Sequence, residues 1–354
     1  GGVDSSVAAA LMVEKGYEVI GLTMQLYDEN NKKSVNSKSC CAGQDIYDAK
    51  NVAEKLGIDH YVLNYETRFF KNVIKDFADT YAEGKTPIPC IRCNERVKFR
   101  DLFNTAMGLE AEILVTGHYA NIKNNKSGIS LHKAYDKDKD QSYFLFATPI
   151  DVLEKLAFPL GNMHKSSTRE YAKKMDLPVL DKPESQDICF VQSNKKGGYR
   201  EIVQKLRPDA SLSGDIVHVD GSIMGKHNGI DGFTIGQRRG LGVNSTTGNP
   251  LYVTKIDPKK KIIFVGEEND LLVNKFRSVD MTWLSKISVG SEFSATVKIR
   301  SQHDPVKAKI YVEDEKKAVI SFEKPCPGVA PGQASVIYNS DQVIGGGWIL
   351  ENLN

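Results

Sequence analysis

Gly1-Gly2-Val3-Asp4-Ser5-Ser6 opens the chain and runs straight into Val7–Lys15, whose apolar residues recur at helical spacing until Gly16 offers a helix end. Glycines let backbone N–H groups approach an anion, and a helix N-terminus favours negative charge. The Ser5 and Ser6 hydroxyls add donors. No Gly-Lys-Ser/Thr follows, so this is not a Walker A loop. A glycine-rich phosphate loop ordinarily follows a strand. None precedes Gly1, so the sequence reads as trimmed at its start. Taken alone, the six residues suit a capped glycine turn as well as a phosphate site.

Outward from this stretch, helices and strands alternate. Tyr17–Leu26 is a continuous strand-like run, Asp45–Leu56 an amphipathic helix closed by Gly57, and His60–Tyr65 a second strand. Phe69–Tyr81 predicts a third helix, and Glu112–Thr116 a third strand ending in the turn Gly117-His118. This alternation predicts an α/β domain with a parallel sheet covered on both faces. Beyond about residue 200 the chain becomes glycine-rich with short strands. From about 275 alternating strands dominate (FSATVKIR, KAKIYVE, KAVISFE, ASVIY, VIGGGWIL), the pattern of a small β-barrel. The expected division is 1–200, the α/β domain, lacking its first strand; 201–274, a central β-rich domain; and 275–354, a C-terminal β-barrel.

The 354 residues are 40% hydrophobic and 26% charged, as in globular proteins, and no run approaches the ~20 apolar residues needed to span a bilayer. The net charge is only +2, so a nucleic acid would be held by local basic patches, not by a general field. Arg238-Arg239, Lys259-Lys260-Lys261, Lys298 and Arg300 are such clusters, although the lysine triplet also reads as solvated surface. Asp136–Asp140 reads as a solvated loop.

Six cysteines and no visible signal peptide indicate a reducing, cytoplasmic setting, where spaced cysteines are more often catalytic or metal-binding than structural. Cys90 and Cys93 follow Thr86-Pro87-Ile88-Pro89. The two prolines predict an extended loop that presents both thiols outside regular structure. Arg92 and Lys98 would favour thiolate. Cys189 is ambiguous by itself. Cys40, Cys41 and Cys326 read as packing residues.

Seven strings stand in order: GGVDSS, TPIPCIRCNERVKF, VTGHYA, KDQSYFLF, SQDICF, GFTIGQRRGLGV and PGQA. Each alone is weak. Together, from the first residue to about 350, they resemble the tRNA-specific 2-thiouridylase family of the PP-loop ATP pyrophosphatases. The resemblance implies ATP-dependent replacement of the 2-oxygen of the wobble uridine by sulfur, with ATP and Mg²⁺ as cofactors. It also implies tRNA as substrate, and a cysteine desulfurase or sulfur-relay protein as donor. ATP would lie against Gly1, Gly2, Val3, Asp4, Ser5 and Ser6, with Met24 and Gly117. Cys189 would carry a persulfide and Cys93 would resolve the product by forming a disulfide with it. Ile88, Pro89 and Cys90 would lie near the base. His118, Lys139, Asp140, Gln141, Arg300, Ser301 and Gln333 would contact or support tRNA. Cys90, Cys93 and Cys189 are also three thiols able to hold an iron–sulfur cluster with one open iron. The chain departs from the family pattern at Ile88, where Asn is usual, and at Ser301, where Tyr is expected. Cys90 stands where many members have Asp, and others Cys.

Two other readings use the same residues. Argininosuccinate and NAD synthetase relatives adenylate small molecules with this loop, but they need neither Cys93, Cys189 nor a terminal barrel. A purely RNA-binding protein could use the β-rich end, but has no use for a phosphate loop beside paired cysteines.

Overall fold

A computed structural model describes residues 2–26, 43–125, 128–183, 188–191, 198–245 and 248–353. Gly1, Cys40 and Cys41 fall outside these. The chain forms two compact units, one of Gly1–Ile74, Cys90–Asn194 and Asp341–Val343, the other of Lys75–Pro89, Lys195–Ser340 and Ile344–Asn354.

In the first unit helix α1 (Val3–Glu14) leads into strand β1 (Ile20–Gln25), then helix α2 (Gly43–Leu56) and strand β2 (Asp59–Asn64). β1 and β2 pair in parallel from Ile20↔Asp59 to Gln25↔Asn64, and Thr23 Oγ1 lies 2.8 Å from His60 Nε2 across the pair. Gly16 (φ +82°) and Gly57 (φ +66°) end the two helices in left-handed backbone, as their sequence positions predict. β3 (Leu114–Val115) comes later and is shorter than the predicted Glu112–Thr116; it pairs in parallel with Leu156–Ala157. Val3, Val7, Val52, Tyr119, Leu160 and Ala172 form one core, joining α1, α2 and helix Lys165–Lys174. This is the α/β, parallel-strand domain that the alternating pattern predicts.

Three local expectations change. The first helix begins at Val3, not Val7, because Asp4, Ser5 and Ser6 take up its first turn; Ser5 Oγ and Ser6 Oγ donate to the Gly2 carbonyl at 3.1 and 2.9 Å. The helix expected over Phe69–Tyr81 is three pieces: Glu66–Phe69, a π-helical turn Phe70–Ile74, and Lys75–Ala82. The third change concerns the cysteine segment. Pro89–Cys93 is α-helical and continues into a π-helical stretch, Asn94–Leu102. Proline restrains the residue before it but is pre-organised for the first helical position, so the irregular backbone stops at Ile88 and both thiols lie on a helix.

The second unit holds a four-stranded sheet and a barrel. In the sheet, Ile223–His227, Gly214–His218, Ile262–Gly266 and Tyr252–Asp257 lie side by side, with the middle two parallel. The GFTIGQRRGLG run is chiefly turns rather than strand, with Gly236, Gly240 and Gly242 at positive φ. The barrel has six strands in the order Leu272–Trp283, Lys317–Pro327, Val306–Asp314, Glu292–Lys298, Ala334–Asn339 and Gln342–Asn352, and the last pairs back onto the first. The first of these, LVNKFRSVDMTW, is absent from the strands that the sequence predicts; its alternation is broken by charged Lys275, Arg277 and Asp280. Closure requires small residues. A Cβ at Gly345 would meet the Thr282 carbonyl oxygen at 2.6 Å. Phe276, Val297, Ile310, Ile320 and Ile337 fill the interior, each fully buried side chain contributing about 2 kcal/mol.

Candidate active site

The stretch that the sequence offers as a phosphate loop forms the first turn of α1. Gly2 is its N-cap in extended backbone (φ −105°, ψ 179°). Asp4, beside it, accepts a hydrogen bond on Oδ1 from Lys165 Nζ at 2.6 Å, and Tyr119 OH lies 3.1 Å from the same oxygen and 2.9 Å from Thr168 Oγ1. Lys165 is itself set by Asp136, whose Oδ2 accepts the Lys165 N–H at 2.9 Å at the start of helix Lys165–Lys174. That hydrogen bond and the nearby His164 hold the Asp136 carboxyl below the usual range. The loop read as solvated thus anchors the helix that presents Lys165. Gly117 packs on the same turn: a Cβ there would lie 2.6 Å from the Asp4 carbonyl carbon and 2.7 Å from the Ser5 nitrogen. Val3 is buried in the core beneath, and Met24 lies in β1 opposite Leu63. Backbone N–H groups at the start of α1, with the Lys165 ammonium beside them on Asp4, are the groups an anion would use here.

The thiol end is the helix starting at Pro89. Cys90 and Cys93, three residues apart, share a face. Cys90 reaches the surface and Cys93 is buried. Cys189 comes from a different part of the chain and is anchored by its neighbour Phe190, fully buried and edge-on to Phe69 with ring centroids 6.0 Å apart. Cys189 lies within electrostatic reach of the other two: negative charge on it would raise the pKa of both Cys90 and Cys93. Desolvation is the larger cause in each. It pushes the Cys93 thiol up to about 12 against the pull of the Lys98 ammonium, and raises Cys90 even though that residue reaches the surface. None of Cys90, Cys93 and Cys189 is in a disulfide. Asn94 is buried and donates from Nδ2 to the Phe144 carbonyl at 3.0 Å, tying the CN motif to the QSYFLF motif.

The residues assigned to tRNA divide into two groups. His118 lies between the two ends. Its Nδ1 is 2.7 Å from Thr116 Oγ1, its ring lies against Phe99 and Phe158, and burial together with the Lys98 charge holds its pKa well below 6.5. Asp140 accepts the N–H groups of Ala134 and Ser142 and the Ser142 hydroxyl, and Gln141 Oε1 accepts the Tyr119 N–H at 2.9 Å. Lys139 precedes them in the same turn, its N–H bonded to the Asp136 carbonyl at 3.1 Å. In the second unit, Gln333 Nε2 donates to the Thr86 carbonyl at 3.3 Å, and the Thr86 N–H to the Pro331 carbonyl at 2.8 Å, so the PGQA turn holds the stretch leading to half-buried Ile88 and buried Pro89. Arg300 donates to the Gly328 carbonyl at 2.7 Å and, more weakly, to that of Ile235 at 3.4 Å, fastening the barrel to the turn-rich run; Ser301 follows it, half-buried.

Three residues of the site escape sequence reasoning: Tyr119, Lys165 and Thr168. Tyr119 lies inside the VTGHYA motif without standing out in it. Lys165 carries no local signal, because its role depends on the packing of its helix against α1.

Comparison with known proteins bears on this geometry. Residues 1–193 match the model of the tRNA methyl transferase HUP domain, 200–267 that of the tRNA methyl transferase PRC-barrel domain, and 273–349 that of the aminomethyltransferase beta-barrel domain. The tRNA-specific 2-thiouridylase MnmA of Rickettsia felis is 51% identical over all of this chain and 95% of its own length. The chain belongs to the tRNA-specific 2-thiouridylase family. Its namesakes in Orientia tsutsugamushi (99% of this chain, 94% of that one) and Rickettsia prowazekii (100% and 98%) are each 50% identical. Family membership implies ATP use and a tRNA substrate. No helix among the described residues is long and apolar enough to cross a membrane.

Proposed function

We propose that the chain is an ATP-dependent tRNA-uridine 2-sulfurtransferase acting on the wobble uridine. The observation that supports this is that Cys93 and Cys189, from distant segments, lie within electrostatic reach of each other in the unit that also carries the glycine-capped start of α1. A uracil 2-carbonyl is a poor electrophile and oxide a poor leaving group. Adenylation of that oxygen by ATP, with release of pyrophosphate, lets it leave as AMP. The terminal sulfur of a Cys189 persulfide attacks C2 and AMP departs. Cys93 then attacks the inner Cys189 sulfur. A Cys93–Cys189 disulfide forms and the base keeps the second sulfur as its thiocarbonyl. A thiol reductant restores both cysteines, and a cysteine desulfurase or sulfur-relay protein reloads Cys189. The uridine must leave the anticodon stack to arrive.

Mg²⁺ would come with ATP and neutralise its phosphates, and half-exposed Asp4 at the α1 N-terminus would hold it through Oδ2, since Oδ1 is taken by Lys165 and Tyr119. An iron–sulfur cluster on Cys90, Cys93 and Cys189 fits less well: among the described residues no three His, Cys, Asp or Glu side chains gather as a metal site would require. No step is therefore routed through a cluster. Within this reading the functional division is 1–200, 201–274 and 275–354, the setting is cytoplasmic, and Ile88–Cys90, His118, Lys139–Gln141, Arg300, Ser301 and Gln333 serve tRNA placement.

The test is a single turnover without reductant, followed by peptide mass analysis and nucleotide chromatography. AMP and pyrophosphate should form, and Cys93 and Cys189 should end as a disulfide. Cys189→Ser should lose persulfide and all thiolation; Cys93→Ser should accept persulfide and stall before product release. ADP as the tRNA-dependent product would remove the PP-loop chemistry, and a persulfide on Cys93 that persists in Cys189→Ser would reverse the two roles.

A further inference from the structure

The helix that carries Cys90 and Cys93 changes its winding at Asn94, and the change moves one side chain. In an α-helix, positions five apart lie roughly 140° apart around the axis. With i→i+5 winding a turn takes about 4.4 residues, so positions five apart lie only about 50° apart, one turn further along. Lys98 stands five residues after Cys93, inside the π-helical stretch Asn94–Leu102. It is thereby carried to the face of the two thiols. Its ammonium acts electrostatically on Cys90, on Cys93, and on His118 from the turn after β3.

Lys98 also has no counter-ion among the described residues. The carboxylates of its own stretch are engaged elsewhere: Glu95 with Arg92 at 2.9 Å and Arg96 at 3.8 Å, Asp101 with Arg68 at 3.6 Å. A half-buried ammonium left unpaired is costly, and an anionic sulfur beside it offsets that cost.

We propose that Lys98 is a positioning residue that holds negative charge on the Cys93 sulfur for the resolving step, and that the π-helical winding is what places it there. The inference rests on the thiolation reading for the step it serves. In that step Cys93 gives its proton to water. The thiolate then attacks the inner Cys189 sulfur, and the bond from that sulfur to the transferred sulfur breaks. The electron pair stays on the transferred sulfur, which becomes the thiocarbonyl. Lys98 lowers the cost of the first event for a thiol that burial holds protonated, and so enlarges the small thiolate fraction from which the attack proceeds.

The experiment uses the full chain with neither tRNA nor ATP, so that its outcome is separate from that of the thiolation reading. The rate of Cys93 modification by methyl methanethiosulfonate is followed by peptide mass across pH. Lys98→Met should move the profile about one unit to higher pH, an approximately tenfold slowing at a given neutral pH. Lys98→Arg should keep most of the wild-type rate, because it keeps the charge. If Lys98→Met does not fold, Lys98→Gln carries the same comparison. Superimposable profiles for wild type and the neutral variant overturn the proposal, as does equal slowing in Lys98→Arg. In single turnover with tRNA and ATP, Lys98→Met should release AMP at the wild-type rate and thiolated tRNA slowly. Loss of AMP release would place Lys98 at the nucleotide and overturn the assignment.

Discussion

The first turn of α1 and the helix that bears Cys90 and Cys93 are finished in opposite ways. At α1 the charges are already balanced. Asp4 holds Lys165, Tyr119 braces Asp4, and Gly117 closes the turn from outside. At the thiol helix they are not: Cys93 is a buried acid held protonated, and Lys98 beside it lacks a counter-ion among the described residues. A site that binds a ready-made anion gains from being pre-organised, because its donors need not move when the anion arrives. A site that must create an anion on a buried sulfur benefits from a standing positive charge that only the reacting form satisfies.

The largest effect should come from Gly117→Ala. The added carbon would meet α1 backbone, which cannot step aside as a side chain can. Displacing the turn far enough to relieve a 2.6 Å contact costs about 1–3 kcal/mol, so ATP affinity should fall about ten- to a hundredfold by calorimetry, while Cys93 modification stays as in wild type. An equal loss at both ends would show that they are one site and not two.

Next, Lys165→Met should remove the ammonium from Asp4 and leave an unpaired carboxylate beside the phosphates. Pyrophosphate release per turnover should drop about tenfold, in keeping with the loss of one charge-assisted hydrogen bond. Persulfide loading of Cys189 should not change. Reduced loading would mean that the ends are coupled before tRNA binds.

The smallest effect concerns His118, which lies between the ends. Its folded pKa is depressed well below 6.5, so the unfolded chain binds the extra proton first. Its contribution to stability is therefore present above about pH 6.5 and is lost as pH falls below that. Between about pH 7.5 and 5.5 the melting temperature of wild type should decline more than that of His118→Gln. Parallel declines would show that His118 titrates normally and that Lys98 does not reach it.

The sequence by itself was enough for the α/β alternation, the helix ends at Gly16 and Gly57, the switch to β-rich structure after residue 200, and the family, because these depend on local periodicity, turn chemistry and ordered motifs. It named Cys93 and Cys189, but only through resemblance, since nothing local distinguishes Cys189 from an ordinary buried thiol. Three things waited for the tertiary structure. The prolines before Cys90 indicate extended backbone, yet Pro89 begins a helix, because the same fixed φ suits both and the packing of buried Ile91 and Val97 decides between them. The π-helical winding at Asn94 has no signature in residue type, and with it goes the position of Lys98. Lys165 meets Asp4 only because its helix packs on α1 across more than 150 residues of sequence. Periodicity records which face of a helix is buried; it does not record which partner that face meets, and in this chain the partners make the site.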